Sequence, residues 1–555
     1  MKTKFFNILI LISCWGALFA QKTKKDTITY DVVVVGSYEP KLLDFPKKLF
    51  SPQLLIDSVK KPSFDYQIFS KYMPLNIELT PIKPAQIKGD FFTELKNNYL
   101  RAGLGSRNQY SMDLYVVTGR DKNKTAGIYA HHNSINGKLK NYGYPGRAFS
   151  GINAFYNKYW LKFVLQTMAS YDYYRLHWYG YNTTIFGDSL NKTNTLQYYH
   201  KPRIQLHMYT SDVDSMAWLW NGTFSYQGFM DKFHFDEHTL STTQVIQKKV
   251  HLMKEIKHEE FQVNADGFVW FNHFDTLNTS NGLVEIVPAY SIDLGPLTIK
   301  AHINTSLQLD SIGDVYFFPG VKMQVNLFPN VISMYGGFDG NLSYASKYFL
   351  FDQNPFVDYR TEYRYMKTSS HLYGGVEGNI FSKWNYNVLV QNKKIENHPF
   401  FVQSKVTNAN NTFAVRYDTL NWLQVLVEQQ IEFLPRFKAG ITAIFNEAQP
   451  VHETKAWYIP RWQIDGFIQY NLQNKILFTP QVSYLSKRYA LFYESSPVVK
   501  ELEDVIIVNL SLEYIYSKTF SFYLDFYNLL NQKYSLWYNY PMYGFSLMGG
   551  VKYAF

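Results

Sequence analysis

The last thirteen residues, "YGFSLMGGVKYAF", constrain the fold more than any other stretch, because their character alternates at every position. One face of an extended strand would carry Phe545, Leu547, Gly549, Val551, Tyr553 and Phe555. The other face would carry Ser546, Met548, Gly550, Lys552 and Ala554. A lysine facing hydrocarbon would cost about 2–4 kcal/mol near the membrane midplane. The pattern therefore predicts a membrane-crossing strand with an apolar lipid face and a polar lumen face.

The same period of two recurs upstream, in "VNLSLEY" (508–514), "FSFYLDF" (520–526) and "WQIDGFIQY" (462–470). Ser517 and Lys518 join the first two stretches, which is typical of a tight hairpin turn. Phe467 is an aromatic exception on the polar face of the third. Pro480 cannot donate to a ladder, so it predicts a bulge or a strand end.

The length and the connections indicate an all-β, antiparallel transmembrane β-barrel. A membrane-spanning strand takes about 9–11 residues. Residues 97–555 therefore accommodate about 18–22 strands with their connections, and we expect 22. Long connections are predicted near 172–197, 230–258, 346–368 and 491–503. Barrels have short periplasmic turns and long outer loops. Both ends of the barrel should lie in the periplasm, which requires an even number of strands.

The composition and the N-terminus favour an outer-membrane protein over a soluble β-sandwich or propeller. Residues 1–20 have a basic start, an apolar run and a final Ala20, as in a secretory signal peptide. A lipoprotein cut before Cys14, the only cysteine, is the alternative. The chain has 46 Tyr and 43 Phe, and only 18% of its residues are charged. Aromatic side chains gather at both interfaces of outer-membrane barrels, whereas a soluble protein would cover its outside with charge.

Residues 21–96 differ from the rest, since prolines recur at 40, 46, 52, 62, 74, 81 and 84. Such a density excludes a long helix. This part is therefore predicted to be a periplasmic or lumen-entering segment, followed by the barrel at 97–555.

The C-terminal stretch from about 460 to 555 resembles the end of the barrel of TonB-dependent receptors. The residues that carry the resemblance are "YNLLNQKY", "WYNYP" and "YGFSLMGG", ending in Phe555. The resemblance implies that Tyr553 and Phe555 form the signal read by the barrel-assembly machinery.

Near the mature N-terminus, "DTITYDVVVVG" is similar to the strand-like box with which that family pairs with TonB. The resemblance implies partner-binding residues Asp26, Thr27, Ile28, Thr29, Tyr30, Asp31, Val32 and Val33. Only about 55 residues separate Gly36 from the first barrel-like strand, too few for the family's plug domain. An unplugged barrel of this size would leak. We therefore hypothesise that residues 37–90, or the loops 172–197 and 230–258, fill the lumen.

No catalytic, cofactor-binding or metal-binding constellation is predicted, so the chain is not expected to be an enzyme. His131 and His132 are adjacent on a predicted strand and point to opposite faces, which excludes joint ligation. His234 and His238 could share a helical face and bind a metal, but a charged outer loop explains them equally. Nothing predicts nucleic-acid binding, whereas outer basic residues could meet lipopolysaccharide phosphates.

Two functions remain open from the sequence. The first is solute transport across the outer membrane, with a TonB-like or other periplasmic partner pairing with the N-terminal strand. The second is a non-transporting barrel subunit of an outer-membrane assembly or secretion complex. The sequence names no substrate.

Overall fold

The structure is a computed structural model. It describes residues 96–555 apart from 120, 187–189, 191, 212–217, 254–257, 276, 406–408, 410 and 494–495. The predicted signal peptide, the proline-rich segment and the partner-binding residues 26–33 lie outside the described residues. No helix in the described ranges has the length and apolar character needed to cross a membrane.

The described chain is almost entirely β-strand. The strands of the barrel are β1 (Asn98–Gly105), β2 (Gln109–Val117), β3 (Lys124–Ile135), β4 (Arg147–Tyr159), β5 (Phe163–His177), β6 (Leu196–Thr210), β7 (Leu219–Asp231), β8 (Phe235–Val250), β9 (His258–Phe274), β10 (Leu277–Asp293), β11 (Leu297–Leu309), β12 (Val315–Phe328), β13 (Ile332–Tyr344), β14 (Tyr365–Ile380), β15 (Trp384–Gln403), β16 (Phe413–Leu434), β17 (Phe437–Pro450), β18 (Trp462–Leu472), β19 (Ile476–Leu485), β22 (Val505–Ile515), β23 (Phe520–Tyr527) and β26 (Ser546–Ala554).

Two hairpins and three short helices lie in the connections. The hairpins are β20 (Arg488–Tyr493) with β21 (Pro497–Leu502), and β24 (Ser535–Trp537) with β25 (Tyr540–Pro541). The helices are α1 (Thr183–Phe186), α2 (Lys192–Thr195) and α3 (Lys347–Gln353).

The strands form one closed, antiparallel, 22-stranded barrel, which confirms the predicted fold and strand number. Each strand pairs with its neighbours in chain order, and β1 closes the ring by pairing with both β2 and β26. In that closing pair Arg101 lies opposite Lys552. Closure leaves no strand edge unpaired, which a membrane requires of any β-structure.

The two described ends meet at one rim, where the backbones of Asn98 and Phe555 exchange two hydrogen bonds of 3.1 and 3.0 Å. We call this end the terminal rim. Its connections include tight turns such as 294–296, 435–436 and 473–475. The opposite rim carries longer connections, including 178–195, 345–364, 486–504 and 528–545. Since outer loops are the longer ones in outer-membrane barrels, this second rim is the outer mouth.

The predicted alternation is confirmed along the wall. Apolar side chains such as Ile204 (51% exposed), Phe224 (53%) and Phe317 (68%) project outward toward lipid. The polar residues of β22, β23 and β26 bond to one another on the lumen side; for example, Ser511 donates to Asp525 over 2.6 Å.

Two local predictions were wrong. β19 runs through Pro480 without a change of register, because Pro480 still lies opposite Leu510 of β22 and only its pairing toward β18 is missing. The segment 230–258 is not a long outer loop: β7 and β8 are joined at 232–234, and β8 occupies most of the segment. The predicted loops near 172–197, 346–368 and 491–503 all contain connections at the outer mouth.

Candidate functional site

The lumen wall is polar, and in one arc its charges form ion pairs that each reach over one intervening strand. Arg101 on β1 donates to Asp525 on β23 over 2.8 Å. Lys552 on β26 forms a 2.5 Å ion pair with Glu513 on β22. The lysine that fixed the predicted orientation of the last strand therefore faces the lumen, as expected, and its charge is compensated there.

A glycine pair makes room for an aromatic ring in the same arc. A Cβ atom on Gly103 would lie 2.0 Å from the Tyr523 hydroxyl oxygen, and one on Gly550 would lie 2.7 Å from a ring carbon of the same tyrosine. Tyr523 is consequently packed against the wall (2% exposed), with the Arg101 guanidinium 4.4 Å from its ring centroid.

The outer end of the lumen is closed by loops that meet across it. We call the described residues within 178–195, 345–364, 404–412, 451–461 and 528–545 the mouth cap. The Asn411 side chain donates to the Trp178 carbonyl over 2.6 Å. Trp178 follows β5 and Asn411 follows β15, and these strands are ten places apart in a ring of 22. The two connections therefore come from nearly opposite sides of the barrel and meet over the lumen.

An aromatic cluster fills the centre of the mouth cap. Tyr540 is 1% exposed, and its hydroxyl donates to the Asn411 carbonyl. Its ring stacks on Phe356 with centroids 3.7 Å apart and meets Tyr179 edge-on at 4.8 Å. Phe413, from the start of β16, lies 5.9 Å away. Because four separate parts of the chain contribute, the cluster ties the loops together in the way that a protein core ties its elements.

Helix α3 extends from the β13–β14 connection and packs against the inner wall of β6 to β8. Phe351 contacts Tyr199 at 4.3 Å and Phe229 at 5.1 Å between ring centroids. The Lys201 ammonium on β6 pairs with Asp352 over 2.6 Å. The ladders that join β13 to β16 each shift register once on the outer side of the barrel. Shifts of this kind are typical of β-bulges, which bend a strand.

Buried charged groups hold the N-terminus of α3. Glu237 of β8 is 1% exposed and accepts hydrogen bonds from the backbone N–H groups of Lys347 (2.8 Å) and Tyr348 (3.3 Å). A carboxylate at this position is stabilised by the helix dipole. The Lys347 ammonium donates to the Asp358 carbonyl over 3.0 Å. Burial lowers the pKa of Lys347, while the nearby Asp231, Asp358 and Glu237 act against that shift.

The structure separates the histidines as the strand geometry predicted. His131 faces the lumen 3.9 Å from Asp172, whereas His132 faces outward and lies 2.8 Å from the Ser150 hydroxyl. The proposed helix with His234 and His238 does not form: His234 is in the β7–β8 turn with φ 60°, and His238 is on β8. Within the described ranges, no group of three or more His, Cys, Asp or Glu side chains is placed to hold a metal ion.

Tyr553 and Phe555, the predicted assembly signal, lie at the terminal rim with their rings stacked at 5.2 Å. Both are more than 40% exposed on the lipid-facing side. The mouth cap itself was only partly anticipated. Loop 172–197 contributes to it, and 345–364 supplies helix α3 and Phe356. The segment 230–258 forms no loop across the lumen, but its Phe233 stacks on Tyr359 at 4.3 Å and its Glu237 holds the N-terminus of α3. The aromatic density of "WYNYPMYGF" was the available signal, whereas nothing in the sequence pairs Glu237 with Lys347.

Comparison with known proteins first defines the class. No protein-family model matches the sequence, and no curated protein matches it significantly. Solved structures do match. The pyoverdine outer-membrane receptor FpvA from Pseudomonas aeruginosa PAO1 is 13% identical, with a TM-score of 0.62 over 83% of this chain and 79% of that one. The FrpB iron transporter from Neisseria meningitidis is 10% identical, with a TM-score of 0.63 over 84% and 82%. The chain is thus an outer-membrane β-barrel.

A third match narrows the fold. A variant of the ferric enterobactin receptor PfeA from Pseudomonas aeruginosa is 10% identical, with a TM-score of 0.61 over 82% of this chain and 81% of that one. These proteins are TonB-dependent receptors, so the predicted resemblance to the barrel of that class is confirmed at the level of fold. At 10–13% identity the likeness concerns the fold, and function is argued separately.

Proposed function

We propose that the protein admits a solute across the outer membrane through its lumen, and that the mouth cap is the outer barrier, which must open for passage. The observation that carries the proposal is a polar lumen wall ending in a mouth closed by loops rather than by the barrel itself. A wall lined with charged and amide groups suits a water-filled pathway. The likeness to barrels described as receptors and as an iron transporter supports the same role.

The proposal includes a periplasmic partner. Opening the mouth cap requires energy, because its aromatic cluster is buried. A periplasmic partner would supply that energy. The strand-prone residues 26–33 would pair with a TonB-like protein by adding a strand to its sheet. Two further partners are proposed. The barrel-assembly machinery would bind the last strand through Tyr553 and Phe555, and lipopolysaccharide would contact the outer rim. No catalytic role is proposed.

The test removes the barrier. Residues 347–361 are replaced with a short Gly/Ser linker, and conductance is measured in planar lipid bilayers beside the unaltered protein. We expect a stable, ion-conducting pore in the variant and low conductance in the parent. The same measurement on a variant lacking residues 37–90, alone and combined with the loop replacement, identifies which segment blocks the lumen.

Transport is contradicted if the combined variant folds as a barrel and still does not conduct. In that case a stoichiometric partner recovered from solubilised outer membranes would favour the assembly-subunit role. In cells, deletion of residues 26–33 should abolish uptake while leaving the amount of barrel in the outer membrane unchanged.

A further inference from the structure

Two adjoining concavities lie between β13 and β19: one is on the lumen wall of β15 to β19, and the other is at the terminal rim, beside the turns 329–331 and 381–383. Their volumes are about 520 and 810 Å³, and they share Tyr386 and Asn387. Ligand pockets typically measure about 300–1,000 Å³. The two concavities together cross six inter-strand spacings, a distance of roughly 29 Å along the wall. The shape therefore suits an elongated ligand better than a compact one.

The concavity of about 520 Å³ is lined by two rows of lumen-facing residues on β15 to β19. The strand registers place the first row side by side, in the order Asn387, Glu428, Thr442, Asp465 and Ser483. Amide, carboxylate and hydroxyl groups thus alternate across five strands. Glu428 and Asp465 are two strands apart, which separates them by about 10 Å.

The second row lies one pleat nearer the terminal rim and consists of Asn385, Gln430, Gly440, Phe467 and Gln481. Asn385, Gln430 and Gln481 are exposed to the lumen. Among the described residues, their side-chain amides form no hydrogen bond with the wall. These three amides are therefore available to a ligand as both donors and acceptors.

The carboxylates of the first row also keep hydrogen-bonding capacity. Asn387 donates to Glu428 over 3.1 Å, and Gln463 donates to Asp465 over 3.2 Å. An ionised carboxylate offers about four acceptor positions. Each of these two groups can consequently accept further hydrogen bonds from a ligand in the lumen.

An aromatic ring stands among these polar groups. A Cβ atom on Gly440 would lie 2.4 Å from the Phe467 ring, so the ring occupies the space above the glycine. Phe467 is half-buried, which leaves part of its surface facing the lumen. It is the aromatic residue that interrupts the polar face in the sequence. A ring face beside amides and carboxylates offers contact to C–H groups next to hydrogen bonds for hydroxyls.

The charge of the two rows limits the ligand further. Their ten residues include two carboxylates and no lysine, arginine or histidine. Lys438, one pleat nearer the terminal rim on β17, lies opposite Glu432. The two rows therefore carry a net negative charge, which disfavours an anionic ligand. Hydroxyl groups both donate and accept, which matches a surface of mixed amides, hydroxyls and carboxylates.

From these features we propose that the two rows form a binding site for a neutral polyhydroxylated solute of the oligosaccharide class. The inference rests on the proposed function, since it names the kind of solute that would pass the lumen. The site takes an extended chain along the wall, with Gln430 and Gln481 bonding hydroxyls and Phe467 contacting a sugar face.

The test measures binding to the full-length protein in detergent. Labelled protein is applied to an array of neutral, acidic and amino oligosaccharides, and the strongest neutral ligand is then titrated by calorimetry. We expect binding to neutral chains, weakened tenfold or more by the double variant Gln430→Ala/Gln481→Ala and by Phe467→Ala. The matched control is Ser225→Ala, on the lumen face of β7 outside the site, and it should leave affinity unchanged.

Glu428→Gln separates a neutral ligand from a cationic one. The amide keeps an acceptor, so affinity for a neutral oligosaccharide should fall by less than fivefold, whereas affinity for an amino oligosaccharide or a polyamine would collapse. The proposal is overturned if no neutral oligosaccharide binds, if the Gln430/Gln481 variant binds like the parent, or if only cations bind.

The inference and the proposed function can fail separately. A barrel that conducts after replacement of residues 347–361 but binds no neutral oligosaccharide refutes the binding site and leaves transport standing. A barrel that binds such a ligand at these rows but never conducts refutes transport and leaves the binding site standing.

Discussion

Replacement of Tyr540 by alanine should open the outer mouth. Tyr540 is 1% exposed, contacts Phe356 and Tyr179, and bonds to the Asn411 carbonyl. Truncation of a buried aromatic side chain to alanine costs about 3–5 kcal/mol. In an open cap this side chain would be solvated, so the cost falls mainly on the closed state. At about 1.36 kcal/mol per tenfold, the ratio of open to closed caps should rise about 160- to 4,700-fold.

The assay is single-channel recording in planar bilayers, with the fraction of time open as the readout. Tyr540→Phe keeps the ring and loses only a hydrogen bond worth about 0.5–1.5 kcal/mol, so it should raise the open ratio about 2- to 13-fold. Phe317→Ala removes an aromatic side chain that faces lipid outside the mouth cap, and it should have no effect on opening. Heat-modifiable migration on gels confirms that each barrel is folded. A folded Tyr540→Ala barrel that stays as closed as the parent would refute the reasoning, because the aromatic cluster would then not be the barrier.

Two further predictions concern the wall and the buried charges. Leu510→Arg should destabilise the barrel by about 2–4 kcal/mol, because the side chain at this position faces lipid, whereas Asn509→Arg on the lumen face should cost much less. Denaturant unfolding in liposomes compares the stabilities of the two variants. Equal losses of stability would contradict the alternation of lipid-facing and lumen-facing residues. Lys347→Met should loosen helix α3 by about 3–5 kcal/mol, because it leaves buried carboxylates without their cation. Limited proteolysis within 345–364 should accelerate, and adding Glu237→Gln should restore part of the protection; a single variant as resistant as the parent would contradict this role for the lysine.

The sequence by itself determined the barrel, because a period of two acts locally. Each residue of "VNLSLEY" or "YGFSLMGGVKYAF" faces lipid or water according to its own polarity. A sheet of such strands has to close into a barrel, because a membrane tolerates no unpaired strand edge. The strand number, the lumen position of Lys552 and the opposite directions of His131 and His132 were all predictable for this reason. Pro480 was misjudged because a missing donor affects only one of its two neighbouring strands.

The tertiary structure alone decided how the mouth is closed and which wall residues share a surface. Asn411 and Trp178 are 233 positions apart in the chain, and no local sequence pattern connects them. Glu237 and Lys347 become partners only when helix α3 reaches the wall of β8. The rows containing Glu428 and Asp465 likewise exist only through strand register, because residues far apart in the chain become neighbours when the barrel closes.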